Sequence, residues 1–414
     1  MKILWVKAGK LLPVDSGGKI RSYSLLRELA RRHEVTLLSY YNGVSDPEYA
    51  RALGDEFHGA LTIRTSVPST TLAAAAHYAS HVVDRAPYAV TKFTARPVRE
   101  LLSRWMDENR FDVMVCDFLS ASLNFPARLS TPTALFQHNV ESALWGRQAA
   151  HEVNPVKRVA FRWEARRMAH YERETVRRFH HIIAVSEQDR VSMSTMTDPS
   201  RISVAPTGVD LSAYRVEPAQ GGRSPLVVFV GSMDWEANID GVEWFHREVW
   251  RGVVRAVPTA RFRIVGRNPG PRIRRLAEDA TVSVTGGVPS VVGHLREAAV
   301  VVVPLRIGGG TRLKIYEAMA VGRAVVATTI GAEGLDVQDG HDINIADASG
   351  AFTDRIIALL TDEQDRARIE RNAAASAGRF DWPVVVRQFE ASLASTIAEA
   401  ARQRLAAPDP QGGA

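Results

Sequence analysis

The stretch VVVVPLRIGGGTRLKIYEAMAVGRAVVAT, residues 300–328, decides how this chain folds. Its four leading valines, Val300 to Val303, leave no polar position facing solvent, and only a parallel strand covered by helices on both faces accepts such a run. A proline follows, then Gly308, Gly309 and Gly310, where backbone amides can come close to a ligand. Thr311 is placed to cap a helix running through Glu317 to Ala320, whose unpaired N–H groups favour an anion. Lys314 and Glu317 lie one turn apart, so a cation for phosphate and a carboxylate for sugar hydroxyls can share one face. The same pattern also fits a plain strand-turn-helix with a surface Lys–Glu pair.

Outward from this stretch the pattern repeats. Strand Leu226 to Val230 meets Gly231-Ser232 and is followed by a helix from Asn238 to Val254. Strand Arg261 to Val265 meets Gly266-Arg267, and strand Thr281 to Val284 meets Gly286-Gly287 before a helix from Pro289 to Glu297. Further towards the start, apolar strands run at Ile3 to Val6, Val35 to Ser39, Val113 to Cys116, Thr133 to Phe136, Ile182 to Val185 and Ile202 to Ala205. Residues Asp46 to Arg110 read as mostly helical, with an Ala-rich segment at Leu72 to Ala79 and a helix from Pro97 to Asn109. Strands alternating with helices twice over predict an α/β chain of two doubly wound, Rossmann-like domains, 1–206 and 207–380. A polar, glycine-containing stretch at Arg215 to Ser224 has the composition of a linker. The last helix, 381–404, is placed to return to the first domain, and 405–414 reads as a disordered tail rich in Pro and Gly.

Ligands of open α/β sheets bind beyond the carboxyl ends of the strands. In the first domain those positions carry Asp15-Ser16-Gly17-Gly18, Asp117 and Gln137-His138-Asn139. Gly17 and Gly18 open a helix and offer a second anion cradle, or simply a tight turn. The dinucleotide fingerprint GxGxxG is missing, and the strand after that helix ends in Ser and Tyr rather than the ribose-binding acid, so a nicotinamide enzyme is disfavoured. His138 reads either as a functional group at the strand end or as a structural histidine.

Composition narrows the class further. The 414 residues are 45% hydrophobic and 24% charged, which suits a globular protein with full cores. A single cysteine, Cys116, excludes an intrachain disulfide and any multi-cysteine metal site, and points to a reducing, cytoplasmic setting. No run approaches the roughly 20 apolar residues of a membrane span, and the chain starts directly on a strand, MKILWV. The net charge of +6 suits an anionic ligand, an anionic membrane face or nucleic acid without choosing between them. One helix, Pro155 to Phe179, carries eight basic against three acidic residues, with aromatics interleaved. It reads as a membrane-contacting face or as a core helix with a solvated basic side. No nucleic-acid-binding motif accompanies it, so nucleic acid is not an expected partner.

With these residues assembled, the chain resembles family 4 of the retaining, nucleotide-sugar-dependent glycosyltransferases, which have the two-Rossmann GT-B fold with a cleft between the domains. The likeness runs through GGKIRSYSLLRELARRHEVTLLSY, TGVDLSAY, FVGSMDW, FRIVG, VTGGV and GGGTRLKIYEAMAVGRAVVAT, in that order. The resemblance implies that Glu317 accepts hydrogen bonds from the ribose hydroxyls. It implies that Gly310, Thr311, Arg312 and Leu313 form the turn whose amides hold the donor diphosphate, that Gly17 and Gly18 close over it, and that Gly231 borders it. Arg267 and Val288 would border the base pocket, and His138 would lie near the transferred sugar and acceptor; Asp117, placed at its strand's carboxyl end by the fold alone, is a further candidate for substrate binding.

Two departures stand out. Gly309 replaces the first glutamate of the family's pair, eight residues before Glu317. The bases that the family commonly has on the diphosphate are missing from Gly231-Ser232 and Ile239-Asp240-Gly241, so Arg312 and Lys314 are expected to supply that charge. Two cations at a helix start would stabilise a leaving diphosphate without a metal, no Asp-x-Asp motif is evident, and no cofactor is expected. The expected function is transfer of a sugar from a nucleoside-diphosphate donor to a glycan, lipid-linked or small-molecule acceptor with retention, in cell-envelope polysaccharide, glycolipid or glycoconjugate synthesis. The expected location is cytoplasmic, peripheral on the inner face of the membrane. A non-catalytic nucleotide-sugar-binding or polysaccharide-assembly protein of the same fold is the alternative.

Overall fold

The computed structural model describes residues 1–65, 78, 80–81, 84–152, 154–216, 224–308 and 312–406. The chain divides into two compact units, one made of Met1–Pro206 and the residues from Val386 onward, the other of Thr207–Val385.

In the first unit, strand β1 (Lys2–Ala8), helix α1 (Gly17–Ala30), strand β2 (Glu34–Asn42), helix α2 (Pro47–Glu56) and strand β3 (Ala60–Thr65) come first. Helix α3 (Arg96–Asp107), β4 (Val113–Asp117), β5 (Thr133–Phe136), α4 (Glu141–His151) and α5 (Pro155–Arg178) follow, then β6 (His181–Ala184), α6 (Glu187–Met193) and β7 (Ile202–Val204). Its strands form a parallel sheet in the order β3-β2-β1-β4-β5-β6-β7. β1 is buried from Ile3 to Val6 because helices cover both faces. In α1, Arg21, Ser22, Leu25, Leu26 and Leu29 are buried, one side of a 3.6-residue repeat.

β3 falls in a region that the sequence reads as helical. It is an edge strand, bonded to β2 alone and only partly buried, so no continuous apolar run marks it. Most of the Ala-rich segment at 72–79 lies outside the described residues, as do most of the linker stretch and the tail from 407.

The second unit repeats the plan. It holds β8 (Leu226–Val230), α7 (Glu236–Trp244), β9 (Arg261–Val265), β10 (Val282–Val284), α8 (Val292–Glu297), β11 (Val300–Val303), α9 (Leu313–Ala320), β12 (Ala324–Ala327) and β13 (Asn344–Ile345). Helices α10 (Ser349–Thr361), α11 (Glu363–Ala377) and α12 (Trp382–Ala406) complete the chain. The sheet is parallel, in the order β10-β9-β8-β11-β12-β13. The four valines of β11 are at most 1% exposed, between the neighbouring strands β8 and β12. α7 runs on through a π-helical turn, Phe245–Trp250, which directs Phe245, Val249 and Trp250 into the core.

α9 starts later than the sequence suggests: its N-cap is Arg312, with no side-chain capping bond, while Thr311, Gly309 and Gly310 lie outside the described residues. From Val386 onward α12 packs on the first unit, where Phe389 stacks on Trp5 at 5.5 Å and meets Phe136 edge-on at 5.1 Å.

Candidate functional site

Each sheet reverses its strand order beside its central strand, between β1 and β4 in the first unit and between β8 and β11 in the second. Such switch points leave a crevice at the carboxyl ends of the strands, and polar side chains gather there in both units.

In the first unit Lys7, last but one in β1, and Asp117, the last residue of β4, are register partners. Asp117 is 0% exposed, and its oxygens accept four hydrogen bonds. Lys7 Nζ (2.8 Å), Ser22 Oγ (2.7 Å) and Trp5 Nε1 (3.1 Å) donate to Oδ2, and His138 Nε2 (2.8 Å) donates to Oδ1. Arg21 Nη1 donates to the other ring nitrogen of His138, Nδ1, at 2.9 Å. These partners fix the neutral imidazole with its proton on Nε2. Burial, only partly opposed by Asp117, pushes the His138 pKa down to about 3. Burial alone would raise the Asp117 pKa, but Lys7 and His138 outweigh it and hold the carboxylate well below its usual range. Burial likewise lowers Arg21 to about 10, against the pull of Asp117 and Asp189.

Asp117, a candidate for substrate contact, thus has its oxygens engaged by protein donors. His138, expected near the transferred sugar and acceptor, is 2% exposed with both ring nitrogens engaged. Phe118 stacks on its ring at 3.6 Å, and Phe136 approaches at 4.4 Å. Gly17 is the first residue of α1, exposed at its amino end. Gly18 packs so closely on Phe118 that a Cβ there would lie 2.8 Å from the ring. The turn carrying His138 is held by Glu172 of α5, which accepts hydrogen bonds from Gln137 Nε2 (2.9 Å) and from the amides of Glu141 (2.8 Å) and Ser142 (3.1 Å).

In the second unit the loops after β8 and β9 touch. The amide of Gly231 donates to Val265, and a Cβ on Gly266 would meet the Gly231 carbonyl at 1.8 Å, so only glycine fits there. Lys314 reaches from α9 into this loop: its Nζ donates to Asn238 Oδ1 (3.0 Å), lies over the Phe229 ring (4.4 Å), and would be 2.7 Å from a Cβ on Gly231. Burial, with Arg312 nearby, pulls its pKa down to about 7, against the pull of Glu317. Arg312 is 5% exposed, its guanidinium 5.2 Å from the Trp235 ring and beside Gly308, which has φ +104°.

Glu317 accepts a hydrogen bond from Tyr214 Oη at 2.8 Å. Burial raises its pKa, against the Tyr214 hydrogen bond and Lys314. Arg267 is exposed, donates to Ser232 Oγ at 3.1 Å and lies against Gly287. Val288 is half-buried on the core, and Leu313 opens α9. The structure therefore brings Gly231, Arg312, Lys314 and Glu317 to one switch point, with Arg267 on the adjoining loop.

Sequence reading missed Trp5, Lys7, Arg21, Ser22, Phe118 and Glu172 in the first unit and Tyr214, Trp235 and Asn238 in the second. Lys7 had a signal, a lone lysine near the end of an apolar strand. The others depend on partners distant in sequence.

Two doubly wound parallel-sheet units are the fold of the GT-B glycosyltransferases. The chain belongs to glycosyltransferase family 4: the model described as Glycosyltransferase Family 4 matches residues 16–213, and the one described as Glycosyl transferases group 1 matches residues 224–362. Among curated proteins it is 29% identical over 194 residues to a phosphatidyl-myo-inositol mannosyltransferase of Mycolicibacterium smegmatis, covering 44% of this chain and 49% of that one. A protein of the same name from Mycobacterium leprae is 28% identical over 193 residues, 44% of this chain and 51% of that one. The chain thus spans about half the length of the curated relatives it matches. Among solved structures, HepE of Anabaena in complex with UDP superposes with a TM-score of 0.67 at 16% identity, over 95% of this chain and 100% of that one. Sucrose-phosphate synthase of Thermosynechococcus elongatus does so with 0.64 at 16% identity, over 98% and 99%. At that identity the likeness is one of fold.

Proposed function

We propose that this protein transfers a sugar from a nucleoside-diphosphate donor to an acceptor hydroxyl with retention at the anomeric carbon. The observation that carries the reading is the convergence of Lys314 and Arg312 on the Gly231 loop, where this chain lacks the bases common in its family. The diphosphate would lie against these two cations and the start of α9, with Glu317 turned to the ribose hydroxyls. As the bond from the anomeric carbon to the phosphate oxygen breaks, charge grows on the leaving diphosphate, and fixed cations stabilise it most at that moment. The acceptor oxygen bonds to the same face of that carbon, and its proton passes to the departing phosphate oxygen. In the first unit, His138 and Asp117 would hold Arg21 and Lys7 in place for the acceptor. HepE has been crystallised with UDP and with UDP-glucose, which supports a uridine-nucleotide donor.

The names of the curated relatives support a lipid-linked acceptor at an anionic membrane. So does α5, which exposes Val156 (77%), Val159 (67%) and Trp163 (51%) along with Lys157, Arg162, Arg166, Arg173 and Arg177. Among the described residues no helix is long and apolar enough to cross a membrane. The test is release of nucleoside diphosphate on incubation with UDP-, GDP- and ADP-sugars. Release with one donor class, abolished in Lys314→Met, supports the enzyme. Nucleotide binding without any release favours a non-catalytic binder.

A further inference from the structure

Phe118 has φ +70° and ψ 153°, a region of backbone space populated almost only by glycine. A bulky aromatic residue persists there only when its surroundings over-determine it. Three contacts do so here: the ring lies 3.6 Å from the imidazole of His138 with the planes 19° apart, Lys7 Nζ lies over it at 4.9 Å, and Gly18 abuts its far edge. Phe118 is also the half-buried cover of a cluster whose other members, Lys7, Arg21, Ser22, Asp117 and His138, are buried. Any ordinary rotation of the peptide would carry the ring off His138.

We propose that Phe118 is a positioning residue, whose ring clamps the imidazole of His138 in one plane and keeps water from the cluster beneath it. The proposal rests on the reading that this cluster serves the acceptor. Phe136 closes in on the imidazole at 4.4 Å, Asp117 and Arg21 hold its nitrogens, Lys7 pairs with the carboxylate, and Asp189 acts on Arg21. Without the ring, one face of the imidazole opens to solvent, and the Asp117–His138–Arg21 chain gains room to rearrange. Gly18 takes on a second meaning: at this position glycine makes space for the aromatic ring whether or not it also approaches a phosphate.

The test uses the full chain with Phe118→Ala, Phe118→Leu and Phe118→Gly. In protein with isotope-labelled histidine, the wild-type His138 signal, assigned with His138→Gln, should show one neutral tautomer from pH 8 to pH 5. In Phe118→Ala the same signal should titrate within that range. Turnover should fall at least tenfold in Phe118→Ala and Phe118→Leu, while UDP affinity stays within twofold. Because the backbone there suits glycine, Phe118→Gly should melt above Phe118→Ala, the reverse of the usual order. An unchanged His138 titration, or turnover within twofold of wild type in Phe118→Ala, would overturn the clamp. If the wild type transfers no sugar at all, the functional reading fails, and the histidine titration and the glycine–alanine order still decide the clamp.

Discussion

Lys314 combines two demands that pull against each other. Its ammonium sits over Phe229 beneath Gly231, where burial and Arg312 bring its pKa to about 7, yet a diphosphate is best met by a charged lysine. Above pH 7 the Lys314 amine is therefore mostly neutral, and binding an anion should draw a proton in. We expect calorimetry of UDP binding at pH 8, in buffers of different ionisation enthalpy, to show uptake of close to one proton. Affinity should weaken as pH rises from 7 to 9, and Lys314→Met should lose both the uptake and the slope. A proton-neutral binding reaction at pH 8 would mean that the diphosphate lies elsewhere.

The carboxylate on the same helix behaves in the opposite sense. Burial raises the Glu317 pKa, and the Tyr214 hydroxyl holds it down. In Tyr214→Phe the pKa should rise further, so UDP affinity should start to fall at a higher pH on acidification than in wild type. Glu317→Gln should weaken UDP by roughly 1.5–3 kcal/mol, as loss of a charged hydrogen bond does, with the acid dependence gone. Lys314 and Glu317 were legible in the sequence because their spacing on a single helix is local. Tyr214 and Asn238, which hold them, were not: no local pattern announces a partner 103 or 76 residues away.

At the scale of elements, α5 illustrates what a charge count hides. Of its basic residues, Arg167 turns inward, pairing with Glu164 at 2.6 Å and donating to the carbonyls of His81, Asp84 and Ala86, while Arg178 donates to Ser122. Glu172 is spent on the His138 turn. Arg158 is half-buried, and Lys157, Arg162, Arg166, Arg173 and Arg177 are exposed, against a single exposed acid, Glu174. Each basic residue near an anionic surface contributes about 1 kcal/mol, screened beyond a Debye length of about 8 Å. We expect co-sedimentation with phosphatidylserine vesicles that weakens as salt is raised. Arg162→Gln with Arg166→Gln and Arg173→Gln should abolish most of it, and Trp163→Ala should reduce it at every salt concentration. Equal sedimentation of wild type and the triple variant would leave α5 as a solvated face. Buried parallel strands and the longer helices could be read from sequence because their apolar periods are local. The edge strand β3 could not, since half-exposed positions blur the alternation, and the inward turn of Arg167 depends on carbonyls more than eighty residues upstream.

At the scale of the whole molecule, the two-unit plan was legible because strand-helix alternation restarts at Leu226 after a polar break. Which unit claims the last helix is a matter of packing. From Val386 onward α12 belongs to the first unit, and Phe389 is fully buried against Trp5 and Phe136. Among the described residues, one hydrophobic cluster holds residues from Leu4 to Ile202 and two others hold residues between Val209 and Phe380. Clusters that each lie within one unit favour separate melting. Removing the Phe389 ring leaves a cavity that costs about 3–5 kcal/mol, and for a unit of this size each kcal/mol moves the midpoint by about 2–4 °C. Scanning calorimetry of Phe389→Ala should therefore show one transition lowered by roughly 10 °C and another left in place. UDP at a hundred times its dissociation constant should add about 2.7 kcal/mol to that second transition alone. A single transition that both the substitution and the nucleotide displace would show the units unfolding as one.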